Sequence, residues 1–287
     1  MPTTIHRVRA GDTSRWVVRR DDGWAALDGT LADLLALPLH EARAVVEAAR
    51  GTGSAMPGEE ALPPLDQQEV WAAGVTYLRS RDGRKEESGH AALYDHVYRS
   101  DRPEIFFKST PERVVGDGEA VGIRADSGWD VPEAEVGLVL NAAGKVFGYT
   151  LANDMSSRSI EGENPLYLPQ AKIYDRSCAV GPAIVPSWVA GPGPFPVGLR
   201  VLRAGREAYA GTTSTSAMAR GFQDLADWLF RALSFPAGAV LLTGTGVVPD
   251  AEFTVRPGDT IQITSPALGT LTNPVVAVGR TSLKGHA

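Results

Sequence analysis

Short apolar segments separated by turn residues fill most of this chain and constrain its fold more than any other feature. Beyond residue 66 these segments are VWAAGVTYL, EIFFKS, EAVGIR, VGLVLNAAGKVFGYTLAND, PAIVPSWV, VGLRVLRAGREAYAG, AVLLTGTGVV and DTIQITS. Segments of this length that are rich in Val, Ile, Phe and Thr are typical of β-strands. Glycine-containing turns inside two of the segments, AAGK and RAGR, predict hairpin connections. The pattern therefore predicts a domain that is mostly β.

The first 65 residues have a different character. They combine short strands around a turn, as in RWVVRRDDGWAAL, with one helix-like segment, TLADLLALPLHEARAVVEAAR. The stretch from Gly51 to Asp66 then gathers Gly, Ser and Pro, as linkers do. We therefore predict a fold of the α+β class with a small α+β N-terminal domain, residues 1–65, and a larger, mostly β domain, residues 66–287.

One long helix is predicted in the second domain, over the segment TSAMARGFQDLADWLFRALSFPAG. Ser216 is a suitable residue to cap its start, and Pro236 limits its end. Its apolar residues recur at helical spacing and are Phe222, Leu225, Ala226, Leu229 and Leu233. Such an amphipathic helix is expected to cover one face of a sheet.

Composition excludes several classes of function. The chain has 287 residues, 43% of them hydrophobic, and a net charge of −6, which predicts a large core and argues against a nucleic-acid partner. The N-terminal sequence lacks the apolar core of a signal peptide, and no apolar run reaches the roughly 20 residues that span a bilayer. We therefore expect a cytoplasmic protein with no membrane partner. The single cysteine, Cys178, rules out an internal disulfide and is expected to be a buried core residue.

Two glutamates stand one residue apart in the stretch DVPEAEVGLVL, where a run of apolar residues follows them. Alternate residues of a strand point to the same face, so Glu133 and Glu135 place two like charges close together. Such a pair needs a cation between its carboxylates, or a proton on one of them. Asp154 is expected to return to the same end of the sheet through a hairpin at 141–145. A solvent-facing side of an antiparallel strand explains the two glutamates equally well, and spacing alone leaves both interpretations open.

The candidate ligand atoms indicate which type of metal would bind. Three carboxylates supply only oxygen atoms, which suit Mg²⁺, Mn²⁺ or Ca²⁺ better than zinc, since zinc usually recruits His or Cys. No spacing typical of metal ligands occurs among the five histidines, which are His6, His40, His90, His96 and His286. If the carboxylates converge, the sequence therefore predicts a site for a hard divalent ion.

Several longer motifs resemble the fumarylacetoacetate hydrolase family from about Val70 to the C-terminus. They occur in the family's order and are DVPEAEVGLVLNAAGKVFGYTLANDMSSR, LPQAKIYDRSCAVGP and LLTGTGVVP. Within the family the resemblance is strongest to dehydratases of 2-keto-3-deoxy-pentonates, such as 2-keto-3-deoxy-D-arabinonate. This narrower likeness rests on VYRSDRPEIFFKSTPERVVGDGEAV and EGENPLYLPQAKIYDRSCAVGP.

The resemblance implies a fumarylacetoacetase-like fold, with a mixed β-roll as the catalytic domain. It implies a metal cofactor, Mg²⁺ with Mn²⁺ or Ca²⁺ as alternatives, held by Glu133, Glu135 and Asp154. The implied partners are a small 2-keto sugar acid and further copies of the chain in a homodimer or homotetramer. An ion at this site would polarise the keto group of the substrate and make its C3 proton acidic.

Two further residues are implied as proton-transfer groups, Glu104 in RPEIFF and Lys172 in QAKIYD. Which of them acts as the base is left open. Taken alone, the residues favour ordinary structural roles, with Lys172 as a surface ammonium paired with Asp175 and Glu104 as a charge at a sheet edge. Only their joint match to the family implies catalysis.

Four residues are candidate substrate contacts. Lys108 in FFKST offers positive charge to an anionic substrate, although an ordinary strand lysine is a competing interpretation. Thr245 lies in a glycine-flanked turn, TGTG, where backbone and ligand can approach closely. Arg81 and Glu86 lie in YLRSRDGRKEESGHAALYDHVYRS, which is typical of either a mobile lid or a solvated helix.

Three functions fit this set of residues. The first is dehydration of a 2-keto-3-deoxy-pentonate to 2,5-dioxopentanoate, and the second is hydrolysis of acylpyruvates or related β-diketones. Hydrolytic relatives commonly carry an Asn-Tyr-x-x-His-x-x-Glu pattern that activates water, whereas this chain has Ser80 and Gly83 at the His and Glu positions. This difference favours the dehydratase, although His90 or His96 offers a substitute for the missing His. The third function, a metal-stabilised binding module without catalysis, conflicts with the presence of Glu104 and Lys172.

Overall fold

The computed structural model describes residues 2–51, 60–79 and 91–280. The strands in this part of the chain are β1 Thr4–Ala10, β2 Thr13–Arg20, β3 Gly23–Leu27, β4 Ala61–Leu62, β5 Glu69–Gly74, β6 Glu104–Ser109, β7 Val114–Val115, β8 Val121–Arg124, β9 Asp130–Val131, β10 Ala134–Leu140, β11 Val146–Asp154, β12 Ser156–Ser157, β13 Cys178–Pro186, β14 Pro196–Arg203, β15 Arg206–Ser214, β16 Ala239–Leu242, β17 Thr260–Ser265 and β18 Gly269–Val278. The helices are α1 Leu31–Ala36, α2 Leu39–Ala48, α3 Ala91–Arg99, α4 Arg158–Glu163, α5 Leu168–Lys172, α6 Ser187–Ala190 and α7 Phe222–Leu229. This mostly β content confirms the predicted class.

A large mixed sheet forms the centre of the molecule. Its strands follow the order β3-β2-β1-β13-β11-β10-β16-β5-β6, with β4 beside β1 and β7 beside β13. The predicted hairpin is confirmed, since β10 and β11 pair antiparallel on either side of the turn at 141–145. Both faces of β10 are covered, and all seven of its residues are buried. A solvent-facing stripe of glutamates is therefore excluded on this strand.

A second sheet, β15-β14-β17-β18-β8, packs across β10, β11 and β13 of the large sheet. The space between the two sheets holds the larger apolar core, which includes Leu138, Leu151, Leu199, Ile263 and Leu271. The two-stranded pair β9-β12 lies beside the point where β10 begins. This arrangement places the start of β10 and the end of β11 at one edge of the core.

The N-terminal strands are part of the large sheet. Ile5 of β1 pairs with Ile184 of β13, and a second core joins Leu31, Leu35 and Val46 to Val139 and Phe147 of the central strands. A domain boundary near residue 65 stays a prediction, and most of the predicted linker lies outside the described residues. The core residue predicted at the lone cysteine is confirmed, because Cys178 is buried.

The single N-terminal helix predicted from the sequence is wrong. The segment forms two helices, α1 and α2, separated by Leu37 and Pro38 in extended conformations. A proline lacks the N–H that a continuous helix requires and disfavours helical geometry in the residue before it. Thr30 caps α1 through a reciprocal capping box with Asp33.

The long helix predicted to start near Ser216 is also wrong in its extent. Helix α7 covers only Phe222–Leu229 and begins after Gly221. Residues before it form a 3₁₀ turn, Thr215–Ala217, and Met218 then makes a β-bridge with Tyr77. Tertiary pairing of Met218 with Tyr77 therefore takes the place of the predicted first turn of the helix.

Strand β18 is the longest strand of the described chain, and our sequence-based set of strands omits it. Its central Pro274 and its Thr and Asn residues obscured it, since proline disfavours a strand interior. Helices long and apolar enough to cross a membrane are absent from residues 2–51, 60–79 and 91–280.

Candidate active site

Three buried carboxylates converge where β10 begins and β11 ends. Antiparallel pairing sets Glu135 opposite Ala152, and the Asp154 N–H donates to the carbonyl of Glu133. One carboxylate oxygen from each of Glu133, Glu135 and Asp154 lies within 4.8 Å of the other two. The predicted convergence of these residues is therefore present in the structure.

Glu135 is the most constrained of the three acids. Its side chain is 1% exposed, and one carboxylate oxygen, Oε2, accepts a 2.6 Å hydrogen bond from the backbone N–H of Gly244. The other oxygen, Oε1, is buried and has no hydrogen-bond partner among the described residues. Burial, followed by repulsion from Asp154 and Glu133, raises the pKa of Glu135 well above its usual range. A divalent ion would reverse this effect by favouring the ionised form.

The donor set fits a hard divalent ion. Its three carboxylates are oxygen-only ligands, and the Oε1 atom of Glu135 is a buried acceptor of the kind such an ion satisfies. The cavity beside Glu133 and Asp154 has a volume of about 10 Å³, close to that of a single water-sized sphere. This space accommodates an ion but not a whole organic substrate.

Lys172 lies inside the carboxylate cluster. It is the last residue of α5 and is only 1% exposed. Its Nζ donates to Oδ2 of Asp154 at 2.8 Å and lies 3.0 Å from Oε1 of Glu133. The alternative of a surface ammonium paired with Asp175 is therefore excluded.

Glu104 borders the same cavity from the edge strand β6. Its carboxylate lies against the backbone of Gly74 on β5, so closely that a Cβ at Gly74 would stand 2.1 Å from the Glu104 Oε2 atom. Glycine at position 74 therefore leaves the space that the carboxylate occupies. The structure brings Glu104 and Lys172 to one cavity with two acids of the cluster, Glu133 and Asp154.

The other predicted substrate contacts differ in position. Lys108 is completely buried behind Asp154, with Nζ 2.5 Å from its Oδ1 and 3.0 Å from the carbonyl of Met155. It does not line the cavity, so it neutralises Asp154 rather than facing a ligand. Thr245 does line the cavity, and its hydroxyl donates to the carbonyl of Val247. Arg81 and Glu86 lie outside the described residues, as do Ser80, Gly83 and His90.

Sequence reasoning missed two buried residues of the site, Arg158 and Glu161 on α4. The guanidinium of Arg158 is 2.9 Å from Oε1 of Glu133 through Nη2 and donates to Oε2 of Glu161 at 3.3 Å through Nη1. Charged residues in a short helix usually face solvent, so the sequence carried no signal for their burial.

The turn that binds Glu135 depends on glycine. Gly244 has a φ of +86°, and a Cβ there would lie 2.1 Å from the Thr76 hydroxyl oxygen and 2.9 Å from the Ala73 carbonyl. We expect Gly244→Ala to lower the free energy of unfolding by about 3 kcal/mol through strain and overpacking. Chemical denaturation measures this change.

Gly205→Ala is the matched control for this substitution. Gly205 has a φ of +75°, and no atom lies within 4 Å of the position that a Cβ would take there, so the substitution carries only the left-handed strain. Its expected cost is about 1 kcal/mol. Equal destabilisation by the two substitutions would contradict the close approach at Gly244.

Comparisons with known proteins identify the family of this chain. The family model described as "Fumarylacetoacetate (FAA) hydrolase C-terminal" matches residues 69–276. A probable 2-keto-3-deoxyxylonate dehydratase from Haloferax volcanii is 46% identical over 255 residues, which are 88% of this chain and 86% of the relative. The 2-dehydro-3-deoxy-D-arabinonate dehydratase of Saccharolobus solfataricus is 42% identical over 217 residues, 74% of this chain and 73% of the relative.

A solved structure of 2-keto-3-deoxy-D-arabinonate dehydratase, complexed with magnesium and 2,5-dioxopentanoate, has a similar fold. It superposes with a TM-score of 0.84 at 33% sequence identity, over 96% of this chain and 100% of that structure. The family model spans more than half of the sequence, and both dehydratase relatives exceed 40% identity. This chain belongs to the fumarylacetoacetate hydrolase family.

Proposed function

We propose that this protein is a metal-dependent hydro-lyase that converts a 2-keto-3-deoxy-pentonate to 2,5-dioxopentanoate by elimination of water. The substrate is 2-dehydro-3-deoxy-D-arabinonate or its enantiomer. The observation that carries the proposal is a buried lysine, Lys172, in contact with two of three converging carboxylates. Two relatives named as dehydratases of such sugar acids support it.

The proposed cofactor is Mg²⁺, with Mn²⁺ and Ca²⁺ as alternatives, and Glu133, Glu135 and Asp154 would hold it. A relative of known structure was complexed with magnesium. When bound, the ion supplies Lewis acidity that polarises the keto group of the substrate and acidifies its C3 proton.

Lys172 and Glu104 are the proposed proton-transfer groups. Both line one cavity, with Lys172 at the end of α5 and Glu104 at the start of β6. One of the two takes the C3 proton and the other donates a proton to the departing C4 hydroxyl, so that hydroxide leaves as water. Pairing with Glu133 and Asp154 fixes the ammonium of Lys172 at the cavity wall.

The remaining predicted contacts take different parts in this proposal. Thr245 stays a candidate substrate contact at the cavity wall, and Arg81 and Glu86 stay candidate lid residues. Lys108 is reassigned to holding Asp154, because its ammonium is enclosed between that carboxylate and backbone carbonyls. Lys108 and Lys172 each contact one oxygen of Asp154, so this pair of buried cations fixes the orientation of its carboxylate.

We further propose that the protein works as a homodimer or homotetramer in the cytoplasm, in a step of pentose catabolism. The resemblance to the dehydratases is the basis of this part. Light scattering coupled to size-exclusion chromatography measures the assembly, and a monomer at working concentration would contradict it.

The test of the reaction compares two classes of substrate. The Mg²⁺-loaded protein is incubated with a 2-keto-3-deoxy-pentonate and, separately, with an acylpyruvate, and products are identified by mass spectrometry. We expect the sugar acid to yield a product lighter by one water and the acylpyruvate to be cleaved slowly or not at all. Rapid release of pyruvate from the acylpyruvate, with the sugar acid untouched, would overturn the proposal in favour of a hydrolase.

A further inference from the structure

The proposed reaction requires a second stage after water is lost. Elimination of the C4 hydroxyl and a C3 proton gives 5-hydroxy-2-oxopent-3-enoate, in which C5 is still an alcohol. The product 2,5-dioxopentanoate is an isomer of this enone with an aldehyde at C5. Its formation removes the C5 proton and the hydroxyl proton and adds protons at C3 and C4, so no oxidant is needed. A base must therefore reach C5 as well as C3.

The shape of the site indicates where C5 lies. The metal-site cavity has a volume of only about 10 Å³, so it cannot contain a five-carbon chain. An adjoining cavity of about 360 Å³ is lined mainly by α3 and the segment after it. The two cavities share three lining residues, Glu104, Glu161 and Leu168. With its keto acid end at the carboxylate cluster, a substrate extends past these three residues toward the larger cavity.

The three shared residues differ in what they can do. Leu168 has no acid–base chemistry, and Glu104 already serves the elimination at C3 and C4. Glu161 is 5% exposed, and its Oε2 accepts from the guanidinium of Arg158. The same guanidinium binds Glu133, so Arg158 ties Glu161 to a ligand of the proposed metal. The contact with Arg158 therefore fixes the position of the Glu161 carboxylate at the boundary of the two cavities.

We propose that Glu161 is the base that removes the C5 proton in the second stage, an inference that rests on the proposed function. The electron pair of the C5–H bond becomes the C4–C5 double bond, the C3–C4 pair moves to C2–C3, and the C2 oxygen takes the negative charge. Protonation at C3 and C4, with loss of the C5 hydroxyl proton, gives the aldehyde. Arg158 is the positioning residue that holds Glu161 at the boundary between the two cavities.

A pair of substrates separates this role from a structural one. The first is the 2-keto-3-deoxy-pentonate, and the second is 4-hydroxy-2-oxopentanoate, which has the same keto acid and leaving hydroxyl but no hydroxyl at C5. The second compound therefore undergoes elimination only. Proton NMR follows the aldehyde proton of the first product and the vinyl protons of the enones. The measured quantity is the rate of aldehyde formation from the pentonate divided by the rate of enone formation from 4-hydroxy-2-oxopentanoate.

We expect Glu161→Gln to lower this ratio on the order of 10²-fold, the usual scale for loss of a positioned base. Vinyl signals of 5-hydroxy-2-oxopent-3-enoate are expected to accumulate from the pentonate. Glu163→Gln is the matched control, since Glu163 lies exposed on the same helix, and its ratio is expected to equal that of the unmodified protein. If Glu161→Gln fails to fold, Glu161→Asp replaces it, with a smaller fall in the ratio and the same accumulating enone.

An unchanged ratio in the folded Glu161 variant would overturn the inference. If the Glu161 substitution instead disturbs metal binding through Arg158 and Glu133, the elimination slows equally for both substrates and the ratio stays unchanged. Failure of the unmodified protein to dehydrate the pentonate is a separate result, and it contradicts the proposed function before any variant is compared.

Discussion

Exhaustive chelation is expected to abolish turnover of the 2-keto-3-deoxy-pentonate, and added Mg²⁺ or Mn²⁺ is expected to restore it. The reason is the arrangement of Glu133, Glu135 and Asp154, whose carboxylate oxygens approach within 4.8 Å of one another in a buried site. Without an ion, the Glu135 Oε1 atom has no hydrogen-bond partner among the described residues, and burial with repulsion from Asp154 and Glu133 holds the pKa of Glu135 well above its usual range despite the nearby Lys172. Full activity in a metal-free sample would contradict the assignment of the ligands.

Substituting Glu135, one of the proposed metal ligands, tests the same site without an activity assay. Glu135→Gln keeps the shape of the side chain and an oxygen that can accept from Gly244, but it removes one negative charge. We expect affinity for Mn²⁺, measured by isothermal titration calorimetry, to fall by about 10²-fold or more. In the metal-free protein the substitution is expected to leave stability unchanged or to raise it, because a buried charge among like charges is removed.

Glu207→Gln is the control for this substitution. Glu207 forms an exposed ion pair with Arg200 on the second sheet, where a single charge has little effect on stability or on a distant site. Mn²⁺ affinity in this variant is expected to equal that of the unmodified protein. If both substitutions lowered the Mn²⁺ affinity equally, the assignment of Glu135 as a metal ligand would be contradicted.

Local patterns predicted the strands well and the helices poorly, and the difference has a physical cause. Strand β6 has the bounds of the predicted segment EIFFKS, and the β10–β11 hairpin follows from a short turn between two apolar segments. Each of these depends on neighbours close in sequence. Residues 215–218, expected at the start of the long helix, lie outside helix α7, and Met218 pairs instead with Tyr77, a residue far away along the chain. A short stretch of sequence does not reveal contacts between residues that are far apart along the chain.

The three converging acids were candidates from the sequence, whereas most of the buried charged residues around them were not. Spacing placed Glu133 and Glu135 on one face and the hairpin returned Asp154 to the same end, while the family resemblance was needed to favour a metal site over a solvent-facing strand. Lys108, Arg158 and Glu161 look like ordinary polar residues of a strand and a short helix, and only the fold shows that they are buried around the carboxylates. Burial of a charge is a property of tertiary packing, which the sequence of one segment does not contain. The family resemblance was needed to single out Lys172.

Lys172→Met and Glu104→Gln are each expected to lower kcat on the order of 10²-fold or more, the usual effect of losing a positioned proton-transfer group. Methionine keeps much of the lysine's volume in a site where the side chain is 1% exposed. Glutamine keeps the contact of residue 104 with the Gly74 backbone. Steady-state kinetics with saturating Mg²⁺ measures the change, and Lys145→Met in the exposed hairpin turn is the control for the first substitution.

Metal binding separates this catalytic effect from a collapse of the site. Lys172 supplies a positive charge in direct contact with Glu133 and Asp154, so its removal makes the cluster more negative. Affinity of Lys172→Met for Mn²⁺ is therefore expected to equal or exceed that of the unmodified protein, even as kcat falls. In the metal-free state the same variant is expected to unfold more easily, because two buried carboxylates lose a cation. A variant that bound Mn²⁺ normally and turned over at the unmodified rate would remove Lys172 from the chemistry and leave Glu104 to serve both proton transfers.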